Sequence, residues 1–413
     1  MIGRGRRAAC VLLGLALVTT ACGDDEGDED ASAGSDAGDD SGDTTTTTVA
    51  EYSLDEPVKL VAVISDEGSS NDPNAVGDFN DGIRMAVDEI NAAGGIGGQE
   101  VSFEAIETLA VGDTIESSLN LALEQEPTAL LGPVSSTALL AMAERVDQAG
   151  VPMIHDTTEP KAVADGEAGS PWIFSMRPTN DEAAGVAARY AVEELDAQEL
   201  GLLYVNASFG QNGAEAIKAE AEELGADVAE ERSFEFDADD LTEPVLAMED
   251  VDAILDWGTP NTVSLARTTL AQQGLAETPY IGPGSMGFAS FYSNVDPAAL
   301  EGVHGVLDCN PVGDEREAVT DWAGRFEEEH GYAPSYATAQ MYDAVYLIKH
   351  AIDEAQAATP EAIRDGLTNL SGYDAGMCAS EYANDNNVLA HEASVVQFSD
   401  GEPETVQQYD ELD

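Results

Sequence analysis

"LLGPVSSTALLAMAERVDQAGVPMI", Leu130 to Ile154, holds a complete structural unit in 25 residues. The run "TALLG" reads as a buried strand, and Gly132-Pro133 breaks it. Apolar residues then recur at helical spacing from Thr137 to Ala149, Gly150 stops the helix, and "VPMIH" begins another buried strand. Between strand and helix stand three hydroxyl residues in a row, Ser135, Ser136 and Thr137. One hydroxyl, from Ser136 or a neighbour, suffices to cap the helix by accepting from a backbone N–H. Three exceed that need, and a helix N-terminus also offers free N–H groups and partial positive charge to a carboxylate.

The same rhythm extends in both directions. "VKLVAVI" (58–64) is a strand of the kind buried in parallel sheets, and "GDFNDGIRMAVDEINAAGG" is a helix ending at Gly94 and Gly95. Strand 101–106, helix 114–126 and, past the opening stretch, strand "WIFSM" complete a first series. "RPTNDEAAG" opens a second series: helix 181–195, strand "LGLLYV", helix 213–224, strand 227–232, helix 240–248, strand "AILDW", helix 262–273 and strand "PYIGP". Beyond it lie "EGVHGVLDC", helical segments 315–330 and 337–355, and strand "ASVVQF". Alternating strands and helices predict an α/β fold with right-handed crossovers and doubly wound parallel sheets. A chain of 413 residues exceeds what one core fills, so two lobes are expected, with a ligand beyond the carboxyl ends of their strands.

The first 56 residues read differently. Arg4, Arg6 and Arg7 precede the short apolar run "AACVLLGLALV", and "VTTAC" ends at Cys22. This is the pattern of a lipoprotein signal peptide (1–21) whose cysteine becomes a lipidated N-terminus. Residues 22–56, acidic and poor in apolar side chains, predict a disordered tether. The chain's net charge is −65, and residues 57–413 alone hold 68 acids against 13 bases. Such a surface repels phosphate backbones and anionic headgroups, which excludes nucleic acid as a partner.

No catalytic constellation is present: the sequence has no G-x-S-x-G, no H-E-x-x-H and no G-x-x-x-x-G-K. His155, His304, His330, His350 and His391 are scattered, so neither metal nor cofactor is expected, and no enzyme activity. "GGIGGQ" follows a helix and precedes a strand, the wrong order for a dinucleotide loop, and reads as a turn. Once the signal is removed and Cys22 lipidated, Cys309 and Cys378 remain. In an oxidising compartment they predict a disulfide, with two buried thiols as the alternative.

The order of motifs resembles the periplasmic binding proteins of type 1, nearest to the branched-chain amino acid and amide receptors of ABC importers. The resemblance rests on "RMAVDEINAAGGIGGQEV", the opening stretch, "FSMRPTNDEAAGVAARY", "NASFGQNGAEAIKAEAEELGADV" and "MYDAVYLIKHAI", and runs from about residue 57 to the end. It implies two lobes joined by three crossovers, the first at 57–176 plus 306–390 and the second at 177–305 plus 391–413. That division puts Cys309 and Cys378 in one lobe. It further implies that Ser136, with the backbone of Ser135 and Thr137, holds a ligand carboxylate. Thr158 does the same from "HDTTEP", with Asp156 and Thr157 beside it. Phe209 walls the pocket, while Thr259, Trp257 and Ser285 line the opposite lobe. The implied partners are a small solute, the permease subunits and, through Cys22, the membrane, for a monomeric protein that delivers solute to a transporter or presents it to a membrane receptor. Two departures stand out. Gly284 occupies a position where amino acid receptors often carry a glutamate for the ammonium, and "SDEGSSNDPNAVG" lacks a common aromatic. Either Asp156, Glu159 or Asp256 then supplies the negative charge, or the ligand has no ammonium.

Overall fold

The computed structural model describes residues 52–64, 75–107, 114–288, 291, 294–399, 401–409 and 412. The signal segment, Cys22, the tether up to Glu51 and residues 65–74 of the first-lobe loop lie outside the described residues.

The first sheet contains β1 (Val58–Ile64), β2 (Val101–Glu107), β3 (Ala129–Leu131), β4 (Met153–His155) and β5 (Ile173–Ser175) in the order β2-β1-β3-β4-β5. All four pairings are parallel. The sheet is covered on both faces, which is why its strands read as continuous apolar runs. On one face, α2 (Ile115–Glu124) and α3 (Ser136–Ala149) bury Leu119, Leu139, Met142 and Val146 against Val61, Val63 and Leu130. On the other, α1 (Ala75–Ala92) buries Phe79, Ile83 and Ile90 against Leu60, Ala62 and Ile64.

The second sheet contains β6 (Glu199–Val205), β7 (Asp227–Phe234), β8 (Ala253–Trp257), β9 (Tyr280–Gly282), β10 (His304–Leu307), β11 (Ala393–Ser399) and β12 (Glu402–Tyr409). Its order is β12-β11-β10-β9-β8-β6-β7. The parallel part, β7-β6-β8-β9-β10, repeats the strand order of the first sheet, and β11 and β12 join it antiparallel. Helices α4 (Asn180–Glu193) and α5 (Ser208–Leu224) cover one face. The other face packs against α6 (Thr242–Leu246), α7 (Pro260–Gln273) and α8 (Pro297–Leu300).

After β10 the chain returns to the first lobe. There α9 (Glu317–His330), α10 (Tyr336–Ala355) and α11 (Pro360–Thr368) place Trp322, Phe326, Leu347 and Ile363 in the same core as α1. It crosses a last time between Ala390 and Ala393 to form β11. Three crossovers therefore join the lobes, at 176–180, after 307 and at 390–393. The second crossing falls later than residue 305, because all of His304–Leu307 pairs within the second sheet. A disulfide joins Cys309, just past that crossing, to Cys378, with Cα atoms 5.3 Å apart.

Candidate functional site

In a sheet of order 2-1-3-4-5 the chain leaves the first strand in both directions, which opens a crevice at the carboxyl ends of its central strands. Both lobes have this order. A cleft of about 100 Å³ is lined by Ser135, Ser136 and Thr137 after β3 and by Asp156, Thr157 and Thr158 after β4. Facing them from the second lobe are Val205 at the end of β6 and Ala207 after it, Phe236 after β7, Thr259 and Pro260 after β8, and Ser285 after β9.

The hydroxyl run divides its duties. Ser135 is the N-cap of α3, in extended conformation, and its side chain accepts from the Ala138 N–H at 3.3 Å. Ser136 and Thr137 are the first helical residues, where backbone N–H groups have no partner within the helix. In the next loop Thr157 donates its N–H to His155 Nδ1 at 3.1 Å. Burial, helped by the nearby Arg177 charge, pushes His155 down to about 3, so its imidazole is neutral. Thr158 reaches across to the second lobe, donating from Oγ1 to Asn180 Oδ1 at 2.7 Å.

The opposite wall is built from aromatic rings. Phe209, in the first turn of α5, stacks on Trp257 at 6.1 Å, and Asn180 Nδ2 holds the Phe209 carbonyl at 2.9 Å. Trp257 itself does not reach the cleft. It is 1% exposed and its indole lies against Gly213, where a Cβ would come within 2.1 Å of the ring. Its place is behind Phe209, with Nε1 donating to Asn180 Oδ1 at 3.0 Å. The Thr259 backbone N–H donates to Thr262 Oγ1 at 2.8 Å as α7 begins, and Ser285 Oγ donates to the Gly258 carbonyl at 2.8 Å.

Sequence reasoning missed Phe79, Arg177, Phe236, Phe288 and Tyr336, all of which line the cleft. Arg177 is the central one. It stands on the first crossover, directs Nε to Asp308 on the second, and lies 4.6 Å over the Tyr336 ring. Asp156 Oδ1 is 3.7 Å from the same Nε, too far for a hydrogen bond. Burial pushes Asp156 up to about 7; Arg177 opposes that shift and Asp308 adds to it. Asp308 is raised by burial in the same way. Burial works against the Arg177 charge, yet Asp308, Tyr336 and Asp156 together hold the guanidinium firmly protonated.

The three candidate acids differ in what already occupies them. Both Glu159 oxygens accept from Asn212 Nδ2 at 2.9 Å. Asp256 accepts from Tyr280 at 2.6 Å, is pushed up to about 7 by burial, and is not among the cleft-lining residues. Asp156 lines the cleft, and neither of its oxygens accepts a hydrogen bond from the described residues. A Cβ at position 284 would lie 2.5 Å from Arg177 Nη2, so a side chain there would have to displace the guanidinium. Among the described residues no group of His, Cys, Asp and Glu side chains is arranged to hold a metal ion. Nor is any helix among them long and apolar enough to cross a membrane.

Comparison with known proteins agrees with this architecture. The chain is 24% identical over 320 residues to a Leu/Ile/Val-binding protein homolog of Brucella melitensis, covering 73% of this chain and 77% of that protein. It is 25% identical over 216 residues to BasB, a substrate-binding protein of a chemotactic signal transduction system in Halobacterium salinarum, covering 51% and 52%. The leucine binding protein LivK of Thermotoga maritima superposes with a TM-score of 0.76 at 18% identity, over 86% of this chain and 99% of that one. The profile of the periplasmic binding proteins matches residues 57–403, and the chain belongs to that family, with the type 1 fold.

Proposed function

We propose that this chain is the lipid-anchored, extracytoplasmic substrate-binding component of an ABC importer. It captures an amino acid, an amide or another small carboxylate between its lobes and delivers it to permease subunits, without covalent chemistry. One observation carries the reading: a helix N-terminus with two hydroxyl residues in its first turn faces an aromatic wall on the other lobe across a cleft of about 100 Å³. Ser136 and Thr137 would take the carboxylate, Thr157 and Thr158 would flank it, and Phe209, Thr259 and Ser285 would enclose the remainder. The anchor rests on "VTTAC" and Cys22.

A thermal-shift screen of amino acids, amides, urea and short carboxylates tests the reading, because a ligand of the native state raises the melting temperature by mass action. A hit should be followed by calorimetry on Ser136→Ala. Loss of a hydrogen bond to a charged acceptor should weaken binding by about 1 to 3 kcal/mol with the melting temperature of the free protein little changed. Unchanged affinity would remove Ser136 from the site. For the anchor, Cys22→Ala should appear in the medium, and its retention in membranes would refute lipidation. The similarity to BasB favours one second reading, presentation of the solute to a membrane receptor. Solute uptake that survives deletion of the gene would select it.

A further inference from the structure

His391 stands on the third crossover, between Ala390 in the core of the first lobe and Ala393 in that of the second. Its imidazole is partly buried and lies between two acceptors. Nε2 is 3.1 Å from the Val388 carbonyl, and Val388 is bridged to Ser175 at the end of β5 in the first lobe. Nδ1 is 3.8 Å from Glu182 Oε1, on α4 in the second lobe. One ring therefore touches both lobes beside the segment that joins them. Glu182 brings in the first crossover as well. Its Oε2 accepts from the Thr179 N–H at 2.6 Å and from Thr179 Oγ1 at 2.9 Å, so the first and third crossovers meet at a single carboxylate.

The chemistry of the ring makes this contact depend on a proton. A carbonyl only accepts, so Nε2 carries a hydrogen whatever the charge on the ring. The neutral ring then turns the Nδ1 lone pair toward the Glu182 carboxylate, which repels it. The imidazolium places an N–H there instead, and attraction replaces repulsion. The groups around the pair favour the proton. Asp385, in the turn before His391, acts on the ring in the same sense as Glu182. Glu392 follows in sequence with its carboxylate held by the Ser380 N–H at 3.1 Å, and Arg316 beyond it is engaged by both oxygens of Asp314. Asp181 and Asp308 lie on the far side of Glu182, and Arg177 is committed to Asp308. Glu182 accordingly raises His391 above the ordinary 6.5, against the opposing effect of burial. Burial pushes Glu182 up, yet the contacts with His391 and Thr179 outweigh it and hold the carboxylate below its usual range.

We infer that His391 and Glu182 form a proton-operated brace across the hinge, joined while His391 is charged and released as pH rises. The stabilisation is fully present below about pH 6.5 and is lost as pH climbs through the raised pKa of the joined state. A partly exposed ion pair moves an equilibrium by up to about fivefold, so the ratio of parted to joined lobes should grow by up to that factor between about pH 5.5 and 8.5. The brace acts on the ligand-free protein and is independent of what the cleft holds.

Two measurements on the ligand-free protein test it. A histidine NMR titration with His391 assigned should place its pKa above 6.5 in the native chain. The value should come down in Glu182→Gln, a variant that keeps an acceptor for the Thr179 N–H. Small-angle scattering over the same pH range reads the lobes. The radius of gyration should grow with pH in the native protein, and both His391→Gln and Glu182→Gln should lack the step that follows the His391 titration. Asp156 also titrates near neutral pH but is present in all three proteins, so the difference between native and variant belongs to the pair. A pair that served only to hold α4 in place would lower the melting temperature of both variants without a pH-dependent difference in scattering. That result overturns the brace, as does a native His391 pKa at or below 6.5 or a native radius of gyration unaffected by pH. The native titration decides even where a variant folds poorly.

Discussion

At the scale of single residues, the cleft is defined by which polar groups the fold has already satisfied. Ser135 is engaged as a cap, Glu159 by Asn212 and Asp256 by Tyr280, whereas Asp156 has an ion pair with Arg177 at 3.7 Å and no hydrogen bond from the described residues. That difference has a consequence for stability. Unfolded, the Asp156 carboxyl titrates near its ordinary 3.8, and folded it is pushed up to about 7 by burial. Between those pH values the native state holds a proton that the unfolded chain has released. Stability therefore falls as pH rises through that window. Asp156→Asn abolishes this contribution and should raise the melting temperature of the ligand-free protein above pH 7, with the advantage shrinking toward pH 4. Each pKa unit corresponds to about 1.4 kcal/mol, so the gain has an upper bound of about 4 kcal/mol. Thermal melts of both proteins across pH check it; a difference independent of pH, or one growing in favour of the native protein as pH rises, contradicts the pKa that burial imposes.

Elements were legible where apolar periodicity is strong and illegible where it is not. β1 reads as a strand because six of its seven residues are buried, and α3 because a capping hydroxyl precedes it and Gly150 follows it in the left-handed conformation. β12 escaped notice because "EPETVQQY" has no apolar face; it lies at a sheet edge with no residue fully buried. α11 escaped because only Ile363 and Leu367 anchor it, although Thr359 and Pro360 mark its start. The same division runs through the site. Ser135, Thr157, Thr158 and Thr259 sit in loops directly after strands and Ser136 and Thr137 in the first turn of the helix that follows, where the rule for doubly wound sheets points. Arg177 and Tyr336 come from a crossover and from the start of α10, 159 residues apart, and nothing local shows that they converge. Trp257 was misplaced because Thr259 and Pro260, just beyond it in sequence, line the cleft, while its own side chain shares the face of Ala253 and Leu255 and packs against α5.

For the whole molecule the decisive question is how the two lobes hold together, since a solute enclosed between them is released only when they part. Among the described residues, polar contacts cross beside the site at two places: Thr158 donates to Asn180 Oδ1 at 2.7 Å and its carbonyl accepts from the Asn180 N–H at 2.9 Å, and Asn212 donates to both oxygens of Glu159 at 2.9 Å. Glu159 belongs to the loop after β4 and Asn212 to α5, so this pair exists only while the lobes are together. Asn212→Ala would leave a buried carboxylate facing a methyl group, and opening would return it to water. A hydrogen bond to a charged group contributes about 1.5 to 3 kcal/mol, which moves the balance toward the open form roughly tenfold or more. Ligand affinity falls with the fraction of closed-competent protein, so it should drop by a similar factor although Asn212 lines no part of the cleft. The melting temperature should change little, because each lobe keeps its own core. Small-angle scattering of the ligand-free variant should give a larger radius of gyration than the native protein, and saturating ligand should bring the two back together. Identical scattering and unchanged affinity would mean that Thr158 and the aromatic contact of Phe288 with Tyr336, rings 5.0 Å apart, hold the lobes closed without Asn212.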